Sequence, residues 1–297
     1  MFVVKYRKIF YTLSAILVAF SFFAVFFWGL NFGIDFKGGS IIEVNYTTAR
    51  PELSVINQQL STLNVGEAIV RPTGDTGFIV RTRTLTEPER LQVLDVLSQK
   101  GTDGMEVKRS DTVGPILGQE LQGKAVTSII LVVIAIILFI TFAFRGVSRP
   151  ISSWKYGVVA IIALAHDVII PTGIFAYLGH LGGYEIDALF VTALLVILGF
   201  SVHDTIVVFD RTRENLKHDL GRKPFDEIVG ESISQTFTRS INTSLTTIIA
   251  LLALFFFGPE ATHNFALALI IGIATGTYSS IFIGSPLLVT LQKFQKK

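Results

Sequence analysis

Two pairs of neighbouring histidine and aspartate residues lie inside long apolar runs, where charged groups are rare. Asp204 is the only acidic residue in the apolar run 188–209, and it directly follows His203. His166 and Asp167 stand together in another apolar run. An acid at the centre of a membrane helix costs about 2.5–3.5 kcal/mol on insertion scales, and such residues commonly mark ion or proton paths. These two pairs therefore predict that the chain moves ions or protons.

Asp204 has a candidate partner on the next apolar segment. It lies six residues inside the charged boundary at Asp210, which is about 9 Å along a helix. The stretch 248–257 is too short to span a membrane alone, so the polar residues before it must enter the membrane, with Arg239 at its inner edge. In an antiparallel helix pair we expect Arg239 to reach Asp204; alternatively, Arg239 serves only as a positively charged interface anchor. The polar residues expected to face Asp204 are Asn242, Thr243, Thr246 and Thr247.

The roles of the other ionisable residues are open from sequence alone. Asp167 lies 12 residues beyond Lys155, about 18 Å into the bilayer, where it can couple protons or make a helix-packing hydrogen bond. His203 can relay a proton or bind a neighbouring helix, and we favour the hydrogen bond. Two histidines and two acids could bind zinc. Nothing in the sequence places His166 and His203 at a ligand spacing, so we predict no metal site.

Residues 118–125 (GQELQGKA) resemble a phosphate-binding loop, which would indicate a nucleotide enzyme. That motif requires a strand before it and a Ser or Thr after its Lys to bind Mg²⁺. Here Ala125 follows Lys124, and the segment runs into an apolar stretch. We therefore expect no nucleotide binding and no enzymatic activity.

The composition indicates a protein that crosses a membrane several times. Of its 297 residues 50% are hydrophobic and 16% are charged, whereas soluble domains carry roughly a quarter charged residues. Cysteine is absent, so disulfides and thiolate chemistry are excluded. The last apolar stretch carries Gly272 and Gly276 in a GxxxG pattern, which allows close helix approach. Six stretches approach or exceed the ~20 residues that a span requires: 9–30, 126–144, 156–178, 188–209, 241–257 and 265–291.

The placement of lysine and arginine predicts the orientation of these spans. Cytoplasmic loops carry an excess of these residues. The short loops 179–184 and 258–264 carry none. We therefore expect both termini in the cytoplasm, with the first span within 1–30, an external domain at 31–124 and five further spans within 125–297. The basic residues of the opposite side are Lys5, Arg7, Lys8, Arg145, Arg149, Lys155, Arg211, Arg213, Lys217, Arg222, Lys223, Arg239, Lys293, Lys296 and Lys297.

The polar block 31–124 predicts a separate folded domain. Alternating apolar residues such as Ile42, Val44 and Tyr46 indicate strands, and apolar residues three or four apart indicate helices. Thr86 and Glu89 form a capping-box pattern at the start of the second helix. The order β-α-β-β-α-β predicts a small ferredoxin-like α+β domain. The helical positions are Leu53, Ile56, Leu60 and Leu63, then Leu91, Leu94 and Leu97.

The cytoplasmic loop 210–239 predicts two short helices that break at Gly221 and Pro224. Its apolar residues recur at helical spacing. This stripe predicts a helix lying in the membrane interface, and a surface that binds a partner is the alternative. The stripe consists of Phe225, Ile228, Val229, Ile233 and Phe237.

Four motifs, in order along nearly the whole chain, resemble those of the SecD/SecF family of bacterial protein export membrane proteins. Residues 33–39 (GIDFKGG) resemble its D-F-x-G-G motif, and residues 113–121 (VGPILGQEL) resemble its V-G-P-x-L-G-x-E-L motif. Residues 203–215 (HDTIVVFDRTREN) and 276–286 (GTYSSIFIGSP) resemble two further family motifs, although His203 stands where the family often has Asn. The length favours the SecF branch over the longer SecD branch. With the two GxxxG glycines, the predicted structural residues are Asp35, Phe36, Gly38, Gly39, Gly114, Pro115, Gly272 and Gly276.

The resemblance implies a six-helix half of an RND-like transporter in the bacterial inner membrane, with protons as coupling ion and no other cofactor. It implies SecD and the SecYEG channel as partners, an exported polypeptide as substrate, surrounding membrane lipids and no nucleic acid. The family's intramembrane aspartate and arginine fall on Asp204 and Arg239. Two other functions stay open: half of an RND-type small-molecule exporter, and a non-transporting assembly scaffold of the channel.

Overall fold

The computed structural model describes residues 2–99, 104–145, 152–219 and 222–295. Arg149, Gly221, Lys296 and Lys297, which entered the predictions of topology and loop structure, lie outside these residues. The described chain separates into two compact units: one covers residues 32–126, and the other contains the remaining described residues.

The secondary structure consists of helices and one small sheet. The strands are β1 (Gly39–Tyr46), β2 (Ile69–Thr73), β3 (Gly77–Thr82) and β4 (Met105–Val113). The helices are α1 (Phe2–Lys5), α2 (Arg7–Trp28), α3 (Ile34–Lys37), α4 (Leu53–Ser61), α5 (Glu87–Leu97), α6 (Pro115–Ala143), α7 (Ser153–Gly182), α8 (Ala188–Asp219), α9 (Phe225–Phe257), α10 (His263–Ser279) and α11 (Ser285–Gln295). A 3₁₀ turn (Glu260–Thr262) precedes α10, and a π-helical turn (Ser280–Gly284) joins α10 to α11.

Six helical runs are long and apolar enough to cross a membrane, which confirms the predicted number of spans. They are α2, α6, α7, α8, α9 and the run that contains α10 and α11. Two of them extend further towards the predicted cytoplasmic side than the apolar stretches indicated. Helix α8 continues to Asp219, and α9 begins at Phe225, directly after Pro224. A proline immediately before or at the first turn suits a helix start, because that position needs no amide donor.

The predicted interfacial helix in the loop 210–239 is therefore wrong. The two arms of this segment are the ends of membrane helices, since no helix breaker separates them from the apolar stretches. The apolar stripe faces the bundle core rather than a membrane surface or a partner. Its residues Phe225, Ile228, Val229 and Ile233 are buried, while Phe237 is 40% exposed.

Close packing joins α2 to α7. A methyl group on Gly173 would come within 2.2 Å of Ser21 Cβ, so only glycine fits that position of α7. Seven residues further along both helices, the rings of Trp28 and His180 stack with centroids 5.3 Å apart. The two contacts share one sequence offset, which defines the register of the pair.

Replacing Gly173 with alanine should lower the free energy of unfolding by about 1–3 kcal/mol, because the added methyl group must displace the backbone of α2. Thermal unfolding in detergent measures the effect. Gly199→Ala is the matched control, since a methyl group there meets no atom within 4 Å. Equal unfolding midpoints for the two variants would contradict the close packing.

The unit of residues 32–126 is predicted to lie outside the membrane and is called the external unit below. It has the sheet order β2-β3-β1-β4, and every neighbouring pair is antiparallel. This order is that of a split βαβ arrangement and confirms the ferredoxin-like prediction. Ile42, Val44 and Tyr46 of β1 pack in its core. The prediction for α5 was partly wrong: Leu91 is 53% exposed, and the intervening Val93 is buried with Leu97. The reason is that the buried face of α5 is centred on Val93 and Leu97, with Leu94 partly buried beside them.

The glycine pair of the first motif lies where side chains do not fit. Gly38 and Gly39 both have positive φ angles, of 77° and 139°, a region that favours glycine. A methyl group on Gly38 would lie 3.0 Å from the backbone of Pro115, the first residue of α6. Phe36 is buried, and Gly118 approaches its carbonyl so closely that a methyl group would lie 2.9 Å from that oxygen. The first two motifs thus meet at the start of α6.

Gly114 has no comparable steric constraint. Asp35 is the first acidic residue of the short helix α3. A methyl group on Gly114 would meet no atom within 4 Å. Their motif roles stay predictions.

The external unit should be stable on its own and sensitive to acid. The capping box of α5 is formed, and the Arg83 guanidinium, 2.5 Å away, together with the Thr86 amide lowers the pKa of Glu89 to about 2. Because the folded pKa is depressed, the stabilisation is complete above the ordinary pKa of about 4.5 and is lost as the pH falls towards 2. A fragment 38–112 should melt cooperatively with or without reductant, and Glu89→Gln should remove part of its acid sensitivity. A non-cooperative melt, or an unchanged acid profile for Glu89→Gln, would count against this assignment.

Candidate functional site

Asp167 lies at the centre of the helical bundle and is fully saturated with hydrogen bonds. It is 0% exposed. Ser201 of α8 and Ser279 of α10 both donate to its Oδ2, the latter at 2.7 Å. His166 Nδ1 lies 2.8 Å from its Oδ1. One carboxylate therefore joins three helices, which a sequence cannot reveal because Ser201 and Ser279 are far from Asp167 along the chain.

Asp204 has a different environment, although it is also buried at 3% exposure. Its Oδ1 accepts one hydrogen bond, from Ser240 of α9, at 3.3 Å. Its Oδ2 has no hydrogen-bond partner among the described residues. A buried carboxylate with so few donors is poorly stabilised as an anion. Asp204 is thus suited to gain and lose a proton.

The predicted polar stripe opposite Asp204 was wrong in its register. Asn242 and Thr246 are exposed, and the hydroxyl of Thr243 donates to the carbonyl of Arg239 on its own helix, at 2.9 Å. The residues of α9 that face the bundle lie on a different side of the helix, because small side chains allow the closest packing there. They recur every four residues: Ser232, Thr236, Ser240 and Ser244.

Arg239 lies on α9, directly before the residue that contacts Asp204, but its own side chain is on a different face of the helix. It is exposed, whereas the next residue, Ser240, contacts Asp204. Within the described part of the chain, no ion pair joins Arg239 to Asp204. The coupling of the two side chains therefore stays a prediction. Arg239 instead lines a cleft of about 470 Å³ together with Phe139, Phe144, Ile206, Val207, Asp210, Arg211, Arg213, Glu214 and Gln235.

The two histidines differ in their exposure, since His203 is exposed and His166 is buried. His203 is exposed on α8, so the favoured hydrogen bond to a neighbouring helix is not found in this structure. His166 is 5% exposed, and its ring stacks on Tyr278 with centroids 6.2 Å apart. Among the described residues, no group of three or more His, Cys, Asp or Glu side chains is arranged to hold a metal ion.

The segment Thr277–Ser280 contacts three helices through its hydroxyl groups. Thr277 lies 2.5 Å from Ser244 of α9, Ser279 donates to Asp167 of α7, and Ser280 lies 2.9 Å from the hydroxyl of Thr205 on α8. The π-helical turn begins at Ser280, and such turns often occur at functional sites. The sequence indicated Ser279 and Ser280 but gave no reason to select Thr277.

The two glycines of α10 allow this close contact with α8. A methyl group on Gly272 would lie 2.0 Å from Ile197 Cδ1, and one on Gly276 would lie 3.1 Å from Ser201 Cβ. Ser201 can therefore reach Asp167 while α10 lies directly against it. A polar pair such as Ser201 and Ser240 carries no sequence signal of its own, because serine is common in membrane interiors.

Comparison with known proteins identifies the family. A family model described as the C-terminal part of protein export membrane proteins SecD and SecF matches residues 92–294. The SecD/SecF GG motif matches residues 23–49. The chain belongs to the SecD/SecF family. The resemblance drawn from the four motifs is thereby confirmed.

Similar proteins within the SecD/SecF family place the chain in the SecF branch. The chain is 42% identical to a protein translocase subunit SecF of Thermobaculum terrenum, over 97% of this chain and 93% of the relative. It is 39% identical to one of Anaerolinea thermophila, over 95% of this chain and 91% of the relative. A crystal structure of SecDF, a translocon-associated membrane protein of Thermus thermophilus, is 34% identical with a TM-score of 0.83, and covers 98% of this chain.

These matches make the chain a SecF-type subunit of the Sec protein translocase, a multi-pass membrane protein of protein transport. The chain spans only 38% of the length of the SecDF chain. It corresponds to one part of that longer protein.

Proposed function

We propose that this SecF-type subunit uses the proton motive force, together with a SecD partner, to promote polypeptide export through the SecYEG channel. The observation that carries the proposal is the environment of Asp204. It is a buried carboxylate in a membrane helix with one donor at 3.3 Å and one unpartnered oxygen. Such a group can bind a proton and release it without the loss of a hydrogen-bond network.

Arg239 supplies the switch in this proposal. Adjacent residues on a helix are about 100° apart around its axis. A rotation of α9 by about this angle would replace Ser240 with Arg239 opposite Asp204. A nearby guanidinium favours the ionised carboxylate, whereas its removal favours the protonated one. Movement of α9 and proton transfer at Asp204 would thus be linked.

The other predicted coupling residues have supporting positions in this scheme. Thr243 lies one turn beyond Arg239 and is hydrogen-bonded to its carbonyl, so the two residues move together. His203 is adjacent to Asp204 and exposed, where it can exchange a proton with a group outside the chain. Asp167 is linked to α8 and α10 through Ser201 and Ser279.

The energy of one proton is adequate to move a domain between two positions. A charge that crosses the membrane potential releases about 2.3 kcal/mol per 100 mV. The SecDF chain matches nearly all of this chain, but this chain covers only a part of SecDF. We therefore propose a SecD unit as the other half of the assembly.

Export into membrane vesicles tests the function. Vesicles that contain SecYEG and SecD, with or without this chain, are loaded with an exported precursor, and translocation is measured with and without an imposed proton gradient. We expect the gradient to stimulate translocation only when the chain is present. Stimulation in its absence would overturn the proposal. Equal export with and without the gradient would indicate a scaffold, and efflux of small dyes instead of polypeptide would indicate an exporter half.

The proposed location is the bacterial inner membrane, with both termini in the cytoplasm and residues 31–124 outside. Because the chain lacks cysteine, one introduced thiol reports its own position. A cysteine at the exposed Thr62 should react with an impermeant maleimide in intact spheroplasts. A cysteine at the exposed Lys217 should react only after lysis. The reverse pattern would show that the orientation is inverted.

A further inference from the structure

Two buried polar atoms of the bundle have no hydrogen-bond partner among the described residues and lie on neighbouring helices. They are Ser14 Oγ on α2 and His166 Nε2 on α7. Ser14 is 6% exposed and His166 is 5% exposed. Leaving a buried donor or acceptor unpaired costs about 1–3 kcal/mol. Two such atoms in one region indicate a shared site.

The register of α2 and α7 places these two residues at the same level. Ser21 lies against Gly173, and Trp28 stacks on His180 seven residues further along both helices. Seven residues are close to two helical turns and return to the same helix face. Seven residues before Ser21 and Gly173, the same register pairs Ser14 with His166.

A second contact supports the same placement. The hydroxyl of Tyr278 donates to the carbonyl of Phe10 at 3.1 Å, and the ring of Tyr278 stacks on His166. Ser14 follows Phe10 by one helical turn. The turn of α2 that ends at Ser14 therefore lies beside the imidazole.

The hydrogen bonds of Asp167 indicate which ring nitrogen of His166 can accept a proton. An ionised carboxylate is an acceptor only, and Asp167 receives two serine hydroxyls and faces His166 Nδ1. If Asp167 is ionised, these contacts place the His166 proton on Nδ1 and leave the lone pair of Nε2 free. A proton added at Nε2 forms an imidazolium, which neutralises the buried negative charge and creates a new N–H donor.

We propose that His166, Asp167 and Ser14 form a second proton-binding centre, separate from Asp204, in which protonated His166 Nε2 donates a hydrogen bond to the Ser14 hydroxyl. Its role in export rests on the proposed function, but proton binding itself does not. The titratable and charged groups on the helices packed around it include Tyr278 on α10, Tyr11 and Arg7 on α2, and His203 and Asp204 just beyond Ser201 on α8.

The centre would tie α2 to the rest of the bundle in its protonated form. Asp167 is already bonded to α8 and α10, and the Ser14 bond adds α2. Helix α2 ends at Trp28 and the first strand of the external unit begins at Gly39, so α2 is the helix from which the chain enters that unit. Proton binding at His166 would therefore fix α2 to the bundle, and proton release would break the hydrogen bond to Ser14.

Nitrogen-15 NMR of histidine-labelled full-length protein in lipid nanodiscs tests the centre. The His166 signals are assigned by their loss in His166→Gln. As the pH is lowered in a titration series, we expect His166 to change from the neutral to the charged form. Asp167→Asn should leave His166 neutral over the same range. Ser14→Ala should shift the Nε2 signal of the charged form, because its acceptor is removed.

Ser21→Ala is the matched control for Ser14→Ala. Ser21 is also buried on the same face of α2, but its hydroxyl already donates to the carbonyl of Leu17 at 2.9 Å. The His166 spectrum should be unchanged in this variant. A His166 that stays neutral in the wild-type protein, or one that responds equally to Ser14→Ala and Ser21→Ala, would overturn the proposed centre.

Export measurements on Ser14→Ala and Asp204→Asn separate this centre from the proposed function. Gradient-stimulated export that persists in Asp204→Asn would contradict the proposed function, while a Ser14-dependent His166 spectrum would still support the centre. Conversely, Asp204→Asn could abolish gradient-stimulated export while Ser14→Ala leaves the His166 spectrum unchanged. That result would support the proposed function and contradict the proposed centre.

Discussion

Asp204→Asn is expected to abolish the gradient-stimulated part of export while the protein stays folded. Asparagine has the shape of a protonated aspartate but cannot release a proton, so the cycle should stop in one state. The fold should survive because Asp204 accepts a single hydrogen bond, at 3.3 Å, which an amide oxygen can also accept. Export in vesicles with an imposed gradient should fall to the level measured without one.

Asp226→Asn provides a matched control for this result. It removes a carboxylate from α9, where Asp226 is partly exposed and lies 3.8 Å from Lys293, and surface pairs of this kind contribute little. Export should be unchanged. Arg239→Ala should impair export as Asp204→Asn does, since it removes the other half of the proposed switch. If Asp204→Asn kept full gradient stimulation, the carboxylate would be structural and the proton-driven function would be wrong.

Asp167→Ala should destabilise the protein far more than Asp204→Ala. The change at Asp167 leaves two serine hydroxyls and an imidazole buried without their acceptor. Each unsatisfied group costs about 1–3 kcal/mol, so we expect a loss of roughly 3–5 kcal/mol. At Asp204 only Ser240 loses a partner. The comparison is made by thermal unfolding in detergent.

Asp167→Asn is the companion variant, because it keeps an oxygen acceptor and should recover part of the lost stability. Its unfolding midpoint should lie between those of the wild-type protein and Asp167→Ala. If Asp167→Ala and Asp204→Ala unfolded at the same temperature, the difference in hydrogen bonding between the two carboxylates would have no energetic consequence.

The sequence alone determined the number of membrane spans, the β-α-β-β-α-β order of elements in the external unit and the burial of both acids. Each follows from a local rule. Apolar runs of about 20 residues match the thickness of a bilayer, and an acid within such a run has no solvent to face. The alternation around Ile42 and the helical spacing around Ile56 likewise depend only on near neighbours in sequence. The family motifs are local as well.

Only the tertiary structure decided which side chains meet the two acids. Ser240, rather than the stripe that contains Asn242, faces Asp204, because the rotation of a helix about its axis is set by its packing against other helices. Ser201 and Ser279 meet at Asp167 from two separate helices. Gly272 permits that approach through its contact with Ile197. Such contacts join distant positions in the chain, and close packing between helices selects them, so no local pattern in the sequence can specify them.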